Sequence, residues 1–211
     1  MDEIPSRDKL TYKNGFYVNC SALFIDIRGS SKLPERHTRP VLGKLYRAYV
    51  SECVAVLNSN PFCREIFITG DCVSGVFDTP KTWQIDEAFN TAAKLNSLIN
   101  QLNWRLEKKG YSKISCGIGL AWGRALMLKA GFHGSGLNDV IWMGDVVNQA
   151  SNLCHQGNKD GRLPVQVSNV VHYNLNDHNK NLLRKGLYEA NYQGNPIITE
   201  MENWLNAQKA K

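Results

Sequence analysis

The alternation of hydrophobic and polar positions divides this chain into segments typical of strands and segments typical of helices. Short apolar runs predict strands over residues 21–27, 112–120, 123–130, 140–143 and 163–171, and a hairpin that joins 65–69 to 72–77. Apolar positions at helical spacing predict helices over residues 40–57, 86–109, 146–155 and 200–207. This order of elements predicts an α/β or α+β sandwich with a mixed sheet, one face of which is covered by helices.

Turn and capping residues mark the borders of these segments. Gly70-Asp71 and residues 28–31 indicate turns, and residues 131–138 a loop. Asp86 is expected to cap the longest helix, and Asp145 the helix that starts at residue 146. No repeat or linker interrupts the chain, so one domain is expected. Its parts are an N-terminal arm at 1–15, a main domain at 16–175 and a less regular C-terminal extension at 176–211.

Composition places the chain among ordinary globular proteins. Of its 211 residues, 43% are hydrophobic and 21% charged, which argues against disorder. No apolar run approaches the ~20 residues of a membrane helix, and the polar start of the chain does not resemble a signal peptide. The six cysteines form no CxxC pair, a usage typical of reduced thiols. We therefore expect a cytoplasmic protein without a membrane partner.

Most of the net charge of +6 lies in one stretch. Residues 28–47 contain six basic side chains and one acid, so they carry +5. Such a stretch is either a solvated basic face or a groove for a polyanion. A nucleic-acid partner is not expected, because the interleaved aromatic and basic residues of a stacking platform are absent.

Two aspartates stand where apolar segments end. Asp26 lies near the end of the first strand, and Asp71 at the tip of the hairpin. Each alone is typical of a turn or cap, but together they indicate a divalent-metal site, because Mg²⁺ prefers one or two carboxylates with waters and phosphates. The neighbouring Gly29, Ser30 and Ser31 can present backbone N–H groups to a phosphate.

An amide pair marks the helix at 146–155. Asn148 and Asn152 are four residues apart, so they share one helix face and can hydrogen-bond a sugar or a phosphate, unless that face is merely solvated. Other catalytic motifs are missing: no GxxxxGK[ST], HExxH or GxSxG occurs, and residues 117–123 only approach GxGxxG.

Four segments in order resemble class III nucleotide cyclases. They are LFIDIRGS at 23–30, IFITGDCVSGVF at 66–77, GIGLAWG at 117–123 and VIWMGDVVNQAS at 140–151. The resemblance spans about residues 20 to 170. It implies an α+β, class III cyclase-like sandwich with a mostly antiparallel sheet, acting as a homodimer in which the metal site and the asparagine come from different protomers.

The resemblance also implies a mechanism. Asp26 and Asp71, helped by the backbone carbonyl of Ile27, would hold two Mg²⁺ or Mn²⁺ ions that activate the ribose 3′-hydroxyl and bind the triphosphate. The turn formed by Arg28, Gly29, Ser30 and Ser31 would bind phosphates, and Asn148 would orient the ribose.

The departures from the family pattern are informative. Phe67 replaces the lysine that selects a purine, Ile141 replaces its Asp or Thr partner, and Asn152 replaces the transition-state arginine. Neither Phe67 nor Ile141 can read a purine edge, and a site that loses such hydrogen bonds loses its discrimination. The missing cation would come from another basic residue. The candidates are Arg28, Lys32, Arg36 and Arg124.

Both aspartates and the asparagine are retained, which argues against a decayed cyclase. A short cyclase domain without the purine-reading residues resembles the pyrimidine cyclases of bacterial anti-phage (Pycsar) systems. Phe67 and Ile141 would then line a small base pocket for uracil or cytosine. The expected reaction converts UTP to cyclic UMP, a messenger for a separate effector protein. The alternatives are cyclic CMP from CTP and an inactive nucleotide-binding or dimerisation module.

Overall fold

The fold is built on one sheet within residues 3–131, 138–186 and 191–211, which this computed structural model describes. Its strands are β1 Gly15–Ile27, β2 Cys63–Thr69, β3 Cys72–Phe77, β4 Cys116–Gly131, β5 Asn138–Met143, β6 Val165–Ser168, β7 Leu183–Lys185 and β8 Asn191–Gly194. The helices are α1 Leu33–Arg36, α2 Arg39–Asn58, α3 Thr82–Lys108, α4 Asp145–Gln156, α5 Asn169–Asn174, α6 Asp177–Asn181 and α7 Thr199–Lys209. Among these described helices, none is both long enough and apolar enough to cross a bilayer.

The strand order is β2-β3-β1-β4-β6-β8-β7, and β5 pairs with β4 outside this path. Of the described strand pairs, only β4 with β6 is parallel. The predicted mixed, mostly antiparallel sheet is therefore confirmed. The pairing of β1 with β4 sets Asp26 opposite Gly117, and the pairing of β1 with β3 sets Phe24 opposite Ser74.

Helices lie on both faces of the sheet, so the expectation that they cover one face was wrong. Leu23 and Ile25 of β1 face the larger core with α2, α3 and α5. Cys20 and Ala22 face a second core, to which α4 contributes Val146 and other residues. A strand buried on both faces is a continuous apolar run without period-2 alternation, so the sequence pattern did not reveal the second layer.

Several helices and strands begin or end at residues other than the predicted ones. Helix α3 starts at Thr82 rather than at Asp86, whose carboxylate instead accepts hydrogen bonds from Asn176 N at 3.0 Å and Asn179 Nδ2 at 2.8 Å. The two strands expected at 112–120 and 123–130 form the single strand β4. The late strand ends at Ser168, whose hydroxyl caps α5.

Both ends of the chain are more ordered than expected. The described part of the expected arm at 1–15, from residue 3 onward, packs against the rest of the domain: Leu10 is buried, and Arg7 Nε donates to Glu65 Oε1 at 2.7 Å. In the tail, β7 and β8 extend the sheet, although strands of three or four residues leave little period in a sequence. Of the loop expected at 131–138, Gly131 and Asn138 are paired strand ends, and 132–137 lie outside the described residues.

Two glycines of β4 allow α4 to lie directly on the sheet. A Cβ at Gly119 would overlap the backbone of Ala150 and Cys154, and one at Gly117 would overlap the backbone at Cys154. The glycines at 117 and 119, part of the near-match to GxGxxG, therefore serve helix–sheet packing. This contact fixes which face of α4 points away from the sheet.

We expect Gly119→Ala to lower the free energy of unfolding by about 3 kcal/mol or more, because backbone atoms of α4 cannot move aside as a flexible side chain can. Gly43→Ala is the matched control: Gly43 lies inside α2 with open space around it, so alanine should stabilise by about 0.5–1 kcal/mol. Equilibrium urea unfolding measures both. A neutral Gly119→Ala would contradict the packing.

Candidate functional site

The two predicted carboxylates lie together at one end of the sheet. Asp26 is the next-to-last residue of β1, and Asp71 follows Gly70, which holds the left-handed turn of the hairpin at φ 63°. Burial and the negative charge of Asp71 raise the pKa of Asp26, and the charge of Arg28 partly opposes this. The predicted pair is thus formed, and its carboxylates repel each other when both are ionised.

The pair has the chemistry of a divalent-cation site. Oδ2 of Asp71 is buried without a hydrogen-bond partner among the described residues, which leaves a buried acceptor for a cation. The described chain offers no third carboxylate, histidine or cysteine close enough to complete a protein-only cage. This donor set fits Mg²⁺ or Mn²⁺, which also take water and phosphate ligands. The side chain of Ile27 is buried in the core, so only its carbonyl can take part.

Arg28 has a different environment from the one predicted. Its side chain is 10% exposed, and Nη2 donates to Asp26 Oδ2 at 2.9 Å. Nη1 donates to the carbonyl of His155 in the last turn of α4 at 3.0 Å. In this arrangement the guanidinium points into the protein, and its hydrogen bonds connect the end of β1 to α4. These guanidinium donors are engaged by the half-buried Asp26 carboxylate and by the His155 carbonyl, which compete with any phosphate for them.

The turn after Arg28 keeps its predicted form. Gly29 is left-handed at φ 64°, and a 3-10 turn covers Ser30–Lys32. The N–H groups of Ser30 and Ser31 stand at the start of this turn, where no helical carbonyl reaches them. Tyr46 of α2 was not predicted: its hydroxyl donates to Ser30 O at 3.4 Å, and burial and Asp71 raise its pKa. Only its place in the apolar stripe of α2 could have indicated it.

Asn148 and Asn152 share one groove on α4, as predicted. Both are exposed, whereas Ala150 between them faces the sheet. Because a helix turns by about 100° per residue, both amides point about 160° or more away from Ala150. Within one chain, these side chains therefore face away from the sheet that carries Asp26.

Phe67 and Ile141 meet in a cavity of about 300 Å³ between the sheet, β5 and α4. Phe24, Val76, Trp142 and Val147 add apolar surface, and Ser74 and Asp139 add the polar side chains of the lining. The predicted pair is thus brought together, although its residues are 74 positions apart in the chain.

The basic candidates separate in space. Arg124 is exposed, and its guanidinium stacks over the ring of Tyr17 at 4.7 Å. It alternates along β4 with Gly123 and Ala125, and Ala125 belongs to the core on the α4 side. Arg124 therefore faces the opposite side of the sheet, so the structure does not bring it to the carboxylates. Lys32 and Arg36 are exposed beside the turn at 29–31.

The comparisons with known proteins agree with this geometry. The family model for the adenylate and guanylate cyclase catalytic domain matches residues 13–204. The chain belongs to this cyclase family. Two curated relatives, each named uridylate cyclase, are 39% identical to this cyclase. The relative from Treponema porcinum aligns over 98% of this chain and 73% of its own length, and the one from Gulbenkiania mobilis over 99% and 88%.

Solved cyclase structures share the fold. The adenylyl cyclase CyaB from P. aeruginosa superposes with a TM-score of 0.71 at 19% identity, covering 85% of this cyclase and 95% of that chain. The guanylyl cyclase Cya2 superposes with a TM-score of 0.66 at 15% identity, covering 85% and 90%. At these identities the likeness concerns the fold alone.

Arg28→Met should lower the free energy of unfolding of the cyclase by about 2–4 kcal/mol at pH 8, because the acidic pair loses its counter-charge and the His155 carbonyl loses a donor. The loss should shrink toward pH 5. Asp26 has a raised pKa in the folded state, so it binds a proton as the pH falls and the repulsion from Asp71 disappears.

Urea unfolding without divalent ions, at both pH values, measures this effect. Lys32→Met, four residues along and exposed, is the control and should change stability little at either pH. A loss that does not depend on pH would mean that Arg28 acts only through helix α4.

Proposed function

We propose that this chain is a metal-dependent nucleotide cyclase that converts UTP to 3′,5′-cyclic UMP and diphosphate. The observation that carries the proposal is the apolar base cavity, in which Phe67 and Ile141 occupy the two purine-reading positions. A cavity without those hydrogen-bonding groups cannot select a purine by its edge. The two relatives named uridylate cyclase support the same substrate. Cytidylate cyclisation is the alternative, because cytosine has the same ring size.

The acidic pair supports a role for divalent ions. We assign Asp26 and Asp71, with the carbonyl of Ile27, to hold two Mg²⁺ or Mn²⁺ ions. When bound, such ions lower the pKa of a ribose 3′-hydroxyl and neutralise triphosphate charge. Arg28 orients the Asp26 carboxylate through its hydrogen bond at 2.9 Å, and its charge partly opposes the rise in the pKa of Asp26. The N–H groups of Ser30 and Ser31 are assigned to phosphate oxygens.

The remaining residues that we assign to the reaction centre lie on α4 and in the basic stretch at 28–47. Asn148 is assigned to orient the ribose for in-line attack of the 3′-oxygen on the α-phosphate. Asn152 lies beside it in the position of the missing arginine and offers an uncharged hydrogen bond. Lys32 and Arg36, next to the phosphate turn, are the cations that this placement favours as a replacement.

We further propose that the active enzyme is a homodimer with two shared sites. Asn148 faces away from the sheet that carries Asp26 of its own chain, so a second chain must bring the two together. Ile141 and Met143 of β5 are exposed apolar side chains beside the base cavity, which suits an interface. The resemblance to anti-phage pyrimidine cyclases suggests that the product signals to a separate effector protein in bacterial defence.

Incubation of the purified protein with each of the four nucleoside triphosphates and Mn²⁺ tests the activity. We expect cyclic UMP as the main product, resolved by mass spectrometry. Cyclic CMP as the main product would select the alternative substrate. Cyclic AMP or GMP would contradict the pocket argument, and no cyclic product would favour the inactive module.

Mixing two inactive variants tests the shared site. Asp71→Ala and Asn148→Ala should each abolish turnover, whereas equal amounts co-refolded or exchanged should recover about one quarter of the wild-type activity, since half of the dimers then contain one intact site. Analytical ultracentrifugation confirms that both variants still dimerise. No recovery in mixed dimers would show that each chain uses its own Asn148.

A further inference from the structure

The base cavity contains a polar group that the family resemblance does not assign. Ser74 lies in the middle of β3, with Phe67 of β2 and Phe24 of β1 directly opposite it in register. The three residues form a row across the sheet, on the face that carries α4, and all three line the cavity. The hydroxyl of Ser74 therefore stands between two aromatic rings at the floor of the pocket.

This hydroxyl is unpaired among the residues that the structure describes. Ser74 is 7% exposed, and within the described part of the chain its side chain makes no hydrogen bond. The hydroxyl of Ser21, at a comparable depth on β1, pairs with Thr79 Oγ1 at 2.8 Å. Because it lines an apolar cavity and makes no hydrogen bond to the protein, this hydroxyl is available to a ligand, which would cover it on binding.

We propose that Ser74 is the residue that reads the pyrimidine, by donating its hydroxyl hydrogen to O4 of uracil. The inference rests on the proposed cyclase activity and goes beyond it, because it names a specificity-determining residue. A serine hydroxyl is both donor and acceptor. Of the other polar groups in the lining, the Asp139 carboxylate is exposed and already accepts from Val140 N at 2.7 Å, and the buried Nε1 of Trp142, which has no partner among the described residues, can only donate.

The same geometry favours uracil over cytosine. O4 of uracil accepts a hydrogen bond, so it satisfies the hydroxyl hydrogen of Ser74. The N4 amino group of cytosine is itself a donor, so Ser74 would have to accept, and its own hydrogen would face apolar walls formed by Phe24, Phe67 and Ile141. An unsatisfied buried donor weakens binding, which lowers the efficiency with CTP.

The test compares UTP with 4-thio-UTP, in which a weakly accepting sulfur replaces O4. Ser74→Ala should lower kcat/KM for UTP about 10- to 100-fold, as expected for loss of one buried hydrogen bond. Its effect on 4-thio-UTP should be small, so the preference for UTP over 4-thio-UTP should nearly vanish. The preference for UTP over CTP should fall as well.

Ser21→Ala is the matched control, since it removes a buried hydroxyl from the same strand layer but not from the cavity. It should lower the melting temperature and leave both preferences unchanged. If Ser74 acted only by filling space, Ser74→Ala would leave kcat/KM for UTP unchanged and would raise kcat/KM for the larger 4-thio-UTP. That pattern, or equal losses with both substrates, would overturn the assignment.

Calorimetric titration separates this inference from the proposed activity. If wild type forms no cyclic product, the cyclase proposal fails, but binding of UTP and 4-thio-UTP to wild type and Ser74→Ala still measures the contact. The inference is supported if wild type binds UTP more tightly than 4-thio-UTP and if Ser74→Ala loses this difference. Equal binding of both nucleotides, or no binding of UTP, overturns it.

Discussion

The direct contact of α4 with β4 is the constraint on which the rest of the site depends. Gly117 and Gly119 carry no Cβ where the backbone of the helix passes, so the helix lies closer to the sheet than any side chain would allow. The close approach fixes the rotation of the helix. Ala150 is held inward, and Asn148 and Asn152 are consequently directed outward, away from their own acidic pair. A packing feature thus underlies the proposal that the site requires a second chain.

Charge at the end of β1 is balanced inside the protein before any substrate arrives. Asp26 and Asp71 repel each other, and the buried guanidinium of Arg28 compensates part of that repulsion. Because Arg28 also holds the carbonyl of His155, the acidic pair and the end of α4 are mechanically linked. The excess positive charge of residues 28–47 therefore has two parts. Arg28 acts internally, and the exposed Lys32 and Arg36 remain for an anionic ligand.

The proposed base cavity would allow the choice of substrate to change while the fold stays constant. An apolar pocket distinguishes substrates poorly by shape alone, because one added or missing group changes binding little. A single unpaired hydroxyl in such a pocket discriminates more strongly between bases, because it forms a hydrogen bond with the edge of one base and loses that bond with the edge of another. Ser74 occupies such a position between Phe67 and Phe24.

The sequence alone determined the features that local rules control. The acids Asp26 and Asp71 at the ends of apolar runs, the hairpin turned by Gly70, and the shared helix face of Asn148 and Asn152 follow from short-range spacing. Only the tertiary structure decided which side chains meet across strands distant in sequence. It turned Arg28 inward, separated Arg124 from the carboxylates, placed helices on both faces and set Ser74 beneath the base cavity. Register and helix packing fix these contacts, and neither leaves a periodic signal in the chain.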